Sequence, residues 1–413
     1  MCGIVGAVSE RNVTPILMEG LRRLEYRGYD SAGIAIFEDN NIKRLRRAGK
    51  VQELQNALDK TPIQGSLGIS HTRWATHGVP TEKNAHPHLS EQDIALVHDG
   101  IIENHEVLKA ELLENGYSFE SDTDTEVVVH RIQFHLIKTQ DLLKAINLTV
   151  RELEGAYALA VISKDEPDKM IVARSGCPVV IGIGVNENYV ASDVAALLPV
   201  TNQFMFLEED DIAIIEQQKI TVIDVNGIIA DRAIVESRLS SAATERGEFK
   251  HFMLKEIHEQ SEAVDNTLKS RIAGGQVLES AFGPGAAAAF DKIKVVHIVA
   301  CGTSYHAGLV ARYWIEAICR IPCSVEIASE YRYRDPVVPD GTLFVTISQS
   351  GETADTLAAL GAAKKVDYVS TLVICNVPES SMVRESDLVL ITNAGPEIGV
   401  ASTKAFTTQL AAL

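Results

Sequence analysis

Basic residues are scarce in this chain, cysteines are few, and no apolar run is long enough to cross a bilayer. Across 413 residues, 38 Lys and Arg face 56 Asp and Glu, a formal net charge of −18. Such a field repels phosphate backbones and anionic membrane surfaces, so a nucleic-acid partner is disfavoured. A spanning helix needs roughly 18 apolar residues, whereas the best runs here, such as Val179 to Val185, have the length of a core strand. No membrane partner is expected. The cysteines lie at 2, 177, 301, 319, 323 and 375, with no CxxC pair and no disulfide-framework spacing, so reduced thiols are the default. The apolar start Met1 to Val8 has no basic segment before it, and Glu10 and Arg11 interrupt it too early for a signal peptide. A cytoplasmic protein is expected.

What is present is ordinary globular material: 46% hydrophobic and 23% charged residues, enough for sizeable cores. The length suggests two or three folding units. Strand-like runs at 3–8, 33–37, 67–71, 94–98, 156–162, 170–174, 179–185, 189–192, 204–207, 212–216 and 220–225 accompany helical periodicity at 14–24, 105–114, 124–137 and 141–153. Many short strands with clustered helices predict layered α and antiparallel β over residues 2–236. The polar, aperiodic stretch 237–250 reads as a linker. Residues 252–280 then read as helical, and 251–413 turns to strand, loop, helix: 295–300 into 305–319, 343–347 into 353–365, then strands at 371–375 and 388–391. That order predicts an α/β unit with a parallel, doubly wound sheet. Residues 401–413 open a helix with no stop signal, so the chain reads as cut within an element.

If Met1 is removed, the thiol of Cys2 lies beside its own α-amino group, whose pKa of about 7.7–8.0 suits a general base at neutral pH. One residue would then supply nucleophile and base; the plainer reading is a small residue after a start codon. In the segment Gly68 to Gly78, Arg73 could clamp a carboxylate with its planar fork. Asp124, at a helix start, could pair with an ammonium group, and the two together suit an amino-acid zwitterion. Singly, each has a blander reading: a surface ion pair for Arg73, a helix N-cap for Asp124. Histidines 71, 77, 86, 88, 98 and 105 crowd one stretch. Their spacing matches no common zinc pattern, so substrate contacts and core hydrogen bonds are expected and no metal.

Several segments carry a resemblance: Cys2-Gly3-Ile4-Val5-Gly6, Glu25 to Gly33, His71-Thr72-Arg73-Trp74-Ala75-Thr76-His77-Gly78, Asn84 to His88 and Asp122-Thr123-Asp124-Thr125-Glu126. They resemble the class II glutamine amidotransferase domain, more closely its form in the glutamine–fructose-6-phosphate aminotransferase family, over about the first 240 residues. The resemblance implies an N-terminal-nucleophile αββα fold and attack by Cys2 on the glutamine side-chain amide. It implies that Arg73 and Asp124 hold the amino-acid end, that Thr76 and His77 line the site, and that Trp74 stands at the mouth of an ammonia path. Where the family has Asn-Gly as its oxyanion hole, this chain has Asp99-Gly100. A carboxylate in place of a donor predicts weak glutaminase activity unless Asp99 is protonated, since one lost oxyanion donor typically costs about 2.7–4 kcal/mol. A fragment that binds glutamine or sugar phosphate without turnover is the alternative.

In the second half, Cys301-Gly302-Thr303-Ser304 and Ser348-Gln349-Ser350-Gly351-Glu352-Thr353 each follow a strand and open a helix. Hydroxyls, backbone N–H groups and the helix dipole there can hold a phosphate monoester without arginine, though each loop alone could be a plain N-cap. Neither loop has the GxGxxG of a dinucleotide fold or a Walker A motif. This half resembles a sugar isomerase (SIS) domain, the first of two in the family. By that resemblance Thr303, Ser304, Ser348, Gln349, Ser350 and Thr353 bind fructose 6-phosphate, with Val400 nearby. The family's second SIS domain and its ring-opening tail are not found, so the chain alone is not expected to complete the conversion to glucosamine 6-phosphate. No metal or redox cofactor is implied, and a homodimer through SIS domains is expected by analogy.

Overall fold

The computed structural model describes every residue except Met1, Tyr26, Arg27, Gln92, 238–247 and Ser270. The chain divides into two compact units, Met1–Ser241 and Ala242–Leu413. Most of the expected linker, 237–250, falls on 238–247, outside the described residues.

The first unit is built on two antiparallel sheets. One runs in the order Ile234–Glu236, Gln203–Phe206, Val180–Ile183, Glu187–Ala191, Gly3–Ser9, Leu67–Arg73, Ser31–Glu38, Asn41–Ala48. The other runs Ile229–Ala230, Ile220–Ile223, Ile212–Glu216, Glu166–Ser175, Gly155–Ser163, Ile94–Ile102, His88–Ser90. Alternating residues face each other between the sheets: Ile4, Val8, Leu67 and Ile69 from one meet Ala95, Val97, Ala160 and Val172 from the other. On the outer face of the first sheet lie Leu17, Leu21, Leu54 and Leu58 of the helices Thr14–Leu24 and Val51–Lys60. On the outer face of the second lie Val128, Ile132, Ala145 and Ile146 of Asp124–Thr139 and Leu142–Val150. The unit is the expected αββα sandwich.

The second unit has a five-stranded parallel sheet ordered Cys323–Ile327, Val295–Ala300, Thr342–Ser348, Ser370–Cys375, Leu388–Ile391. Alternate residues of one strand feed opposite faces: Ile298 and Ala300 pack with Ala311 on one side, Val299 with Tyr331 and Leu360 on the other. Helices therefore cover both faces, the doubly wound arrangement the pattern predicts.

Two expectations fail locally. The predicted helical stretch 252–280 is α-helical only over Phe252–Leu268. A short hairpin, Ile272–Ala273 against Gln276–Val277, follows, turned by Gly274 and Gly275 at φ +59° and +78°. The sequence also hides the strand Asn41–Ala48, where Lys43, Arg44, Arg46 and Arg47 blur the period of two. It is an edge strand, and charge there blocks pairing with another chain.

Candidate active site

Gly3–Ser9 pairs antiparallel with Leu67–Arg73, Gly3 opposite Thr72, so the register delivers Cys2 to the end of the partner strand. There Cys2 Sγ accepts the Trp74 N–H at 3.3 Å and stands 3.6 Å from the Trp74 carbonyl oxygen. Cys2 is only 9% exposed. Burial first, then the charge of Asp99, push its thiol up to about 12, with the Trp74 hydrogen bond and Arg73 opposing. The resting sulfur is thus protonated at neutral pH and needs a base at the moment of attack. Met1, whose removal would expose that base, lies outside the described residues.

Arg73 is 3% exposed, not a surface residue. Its Nη2 donates to the His77 carbonyl and, at 3.4 Å, to that of Gly78. Nη1 lies 3.9 Å from Asp30 and has no hydrogen-bond partner among the described residues. A buried donor left unmade costs about 1–3 kcal/mol, which a carboxylate in the site would recover. Asp124 is not the N-cap of its helix either: Thr123 takes that role, its Oγ1 accepting the Glu126 N–H at 3.3 Å. Asp124 Oδ2 instead accepts the Ile102 N–H at 2.9 Å, and Oδ1 lies 3.9 Å from His77 Nδ1. His77 thus bridges the two, its carbonyl on Arg73 and its ring toward Asp124, with Thr76 Oγ1 3.3 Å from that ring. The Trp74 indole is 50% exposed. It closes over Gly28, where a Cβ would come within 2.7 Å of the ring.

Asp99 and Gly100 lie on the strand Ile94–Ile102, whose last residue bonds Asp124. Gly100 adopts φ +132°, and a Cβ there would sit 2.0 Å from the Ala156 carbonyl oxygen. Only glycine meets that requirement.

The histidines line the inner side of the same region. His71 stacks on His86 with centroids 4.1 Å apart, and Thr125 Oγ1 lies 3.1 Å from His86 Nε2 and 3.0 Å from His98 Nδ1. These contacts join residues 39 and 27 positions apart, so no local pattern signals Thr125. Burial pushes His71 and His86 well below the ordinary imidazole range, His98 below it, and His88 down to about 3. All four are neutral when folded and regain their ordinary proton affinity on unfolding. The unfolded chain therefore binds more protons in mild acid. The stability involved is complete above about pH 6.5 and is lost as pH falls below it, by at most ~1.4 kcal/mol per pH unit for each titrating group. Thermal scans should show the melting point of the first unit dropping between pH 7 and pH 5; a flat profile would contradict this.

In the second unit, adjacent parallel strands pair Ala300 with Ile347, which sets the two hydroxyl-rich loops side by side at the strands' C-terminal ends. The helices that follow, Gly302–Trp314 and Ala354–Ala363, both start without a side-chain cap. Their first N–H groups are therefore available to an anion. Ser348 Oγ accepts the Gly351 N–H at 3.0 Å and lies 3.1 Å from Thr353 Oγ1, while Ser350 Oγ accepts the Glu352 N–H at 3.1 Å. Gln349 is half-buried beside them, Thr303 is exposed and Ser304 buried. Val400 is 74% exposed in the segment after Gly395. Sequence reading missed what shapes that segment: the buried Glu256 accepts the Ile398 and Gly399 N–H groups at 2.5 and 2.8 Å, and Glu397 accepts those of Thr403 and Ala405 at 2.8 and 3.0 Å.

Residues 71–199 match the glutamine amidotransferase domain family and residues 290–413 the SIS domain family. Fold and site together define a class II glutamine amidotransferase unit followed by a SIS unit. Glutamine–fructose-6-phosphate aminotransferases (isomerizing) from Pseudomonas syringae pv. tomato and Pseudomonas aeruginosa are each 59% identical over the whole chain, which spans 68% of their length. The chain belongs to the glutamine–fructose-6-phosphate aminotransferase (isomerizing) family. A glutamine phosphoribosylpyrophosphate amidotransferase from B. subtilis, 20% identical, aligns over 91% of this chain and 81% of its own with a TM-score of 0.50, a likeness of fold.

Proposed function

We propose that the first unit hydrolyses glutamine with Cys2 as nucleophile and that the second holds the phosphate of fructose 6-phosphate, the acceptor of the released ammonia. The observation that carries the first half is Cys2 Sγ at the end of its strand, beside a buried Arg73 whose Nη1 lacks a hydrogen-bond partner among the described residues. Arg73 takes the α-carboxylate and Asp124 the α-ammonium, which aims the side-chain amide at the sulfur. The α-amine of Cys2, once Met1 is gone, accepts the thiol proton as sulfur bonds the amide carbon. It passes that proton to the leaving nitrogen, which departs as ammonia and leaves a γ-glutamyl thioester. Water then splits the thioester to glutamate and restores the thiol. Thr76 and His77 line the pocket, Gly100 and Asp99 flank the developing oxyanion, and the exposed Trp74 stands at the mouth.

In the second unit, Thr303, Ser304, Ser348, Gln349, Ser350 and Thr353 surround the phosphate, with Val400 near the sugar. The uncapped helix starts support this reading. A net charge of −18 argues against nucleic acid as a partner. The free thiols fit a cytoplasmic protein, and the exposed Tyr313, Trp314 and Ile318 suit pairing with a second copy.

Two measurements test the halves separately. Arg73→Lys keeps the charge but loses the fork and should raise the KM for glutamine about tenfold or more, with kcat less affected; an unchanged KM removes Arg73 from the site. Ser348→Ala should weaken fructose 6-phosphate binding about tenfold by calorimetry; equal affinity places the phosphate elsewhere.

A further inference from the structure

We propose that Thr125 is a positioning residue for glutamine binding, acting through a closed ring of hydrogen bonds with His86 and His98 that fixes Asp124. This rests on the glutaminase role proposed for the first unit. Three contacts close the ring: the His98 N–H reaches His86 Nδ1 at 3.4 Å, His86 Nε2 meets Thr125 Oγ1 at 3.1 Å, and Thr125 Oγ1 meets His98 Nδ1 at 3.0 Å.

Donor and acceptor counting fixes His86, and the shorter of two contacts from Thr125 then sets the direction of the ring. A backbone N–H can only donate, so His86 Nδ1 accepts and its proton sits on Nε2. That Nε2–H donates to Thr125 Oγ1. The one hydroxyl proton of Thr125 then goes to His98 Nδ1 rather than to Asp124 Oδ1, which is farther away at 3.5 Å. In this direction both imidazoles are neutral and protonated on Nε2, an atom that at His98 is buried without a hydrogen-bond partner among the described residues.

Asp124 lies between two anchors on the first turn of its helix. On one side Thr123 caps the helix and meets His88 Nε2 at 3.1 Å. Glu126 accepts both the Ser121 N–H and its hydroxyl at 2.6 Å. On the other side stands Thr125 with its two histidines. With backbone held before and after it, the Asp124 carboxylate keeps its bond to Ile102 and its orientation toward His77. Thr125 touches no reacting atom in this scheme and acts through Asp124.

The test uses the full chain with Met1 removed and reads glutamine binding by calorimetry and hydrolysis by ammonia release. Thr125→Val, which keeps the shape and removes the hydroxyl, should raise the Kd and KM for glutamine about tenfold with kcat changed far less, and Thr125→Ser should restore both. Wild-type binding with equal binding by the valine variant overturns the positioning role alone. A wild-type chain that binds no glutamine overturns the glutaminase reading and this proposal with it. Should the valine variant fail to fold, histidine ¹⁵N shifts of the wild-type protein decide: His86 and His98 both neutral and protonated on Nε2 supports the ring, and any other tautomer or an imidazolium at pH 7 overturns it.

Discussion

Asp99→Asn should raise glutamine hydrolysis by roughly 10²–10³-fold, the usual worth of one oxyanion-hole donor. Two physical effects act in the same direction. The amide offers an N–H where the carboxylate offers only lone pairs, so the tetrahedral oxyanion gains a donor and loses a repelling charge. Asp99 is also the second cause, after burial, of the raised Cys2 thiol. Removing its charge makes the proton easier to pass to the α-amine at attack. The substitution is nearly isosteric and leaves Gly100, where the backbone demands glycine, untouched. The gain should appear in kcat for ammonia release, with little change in KM, because Asp99 is not among the groups proposed to hold the amino-acid end. A rate equal to wild type would mean that Asp99 is already protonated or faces away from the oxyanion.

Loss of the nucleophile should be larger still. Cys2→Ala should lower hydrolysis by about 10⁴-fold or more, the scale seen when a covalent nucleophile is deleted, while glutamine still binds through Arg73 and Asp124. The same loss is expected of a chain that keeps Met1, although its thiol is intact. The nitrogen of Cys2 is then a peptide amide with no basicity, and a sulfur that burial holds near 12 has no adjacent base to take its proton. A distant base such as His77 would tolerate the extra residue. Comparing Met1-retained with Met1-free protein therefore separates the two chemistries, with ammonia release as the readout and mass spectrometry to verify each terminus.

The layered architecture was legible because its strands alternate: Gly3–Ser9, Leu67–Arg73 and Ile94–Ile102 each present one face to the core between the sheets. Val295–Ala300 and Thr342–Ser348, buried on both faces and each followed by a loop and a helix, announced the parallel sheet. Asn41–Ala48 escaped because edge protection replaces apolar residues with arginine, erasing the alternation that marks a strand. The helical periodicity over 252–280 extends too far because Gly274-Gly275 turns the chain into a hairpin.

Within the candidate site, Cys2, Arg73 and Asp124 stood out by chemical type and His77 by the family resemblance, and contacts running through Trp74, His77 and Ile102 link them. What sequence reading missed are supporting residues whose partners are remote. Thr125 meets His86 39 positions away, and Glu256 meets Ile398 142 positions away. A threonine on a helix or a glutamate on an amphipathic face carries no local mark of such a role; only the tertiary register creates it.

Trapping the acyl intermediate is the sharpest measurement: Met1-free protein mixed with glutamine, quenched in acid within the turnover time and mapped by peptide mass spectrometry. A γ-glutamyl group on Cys2, absent when Met1 is retained, is the predicted result. Steady ammonia release with Cys2 unmodified, or the acyl group on Cys177, Cys301 or Cys319 instead, would contradict it.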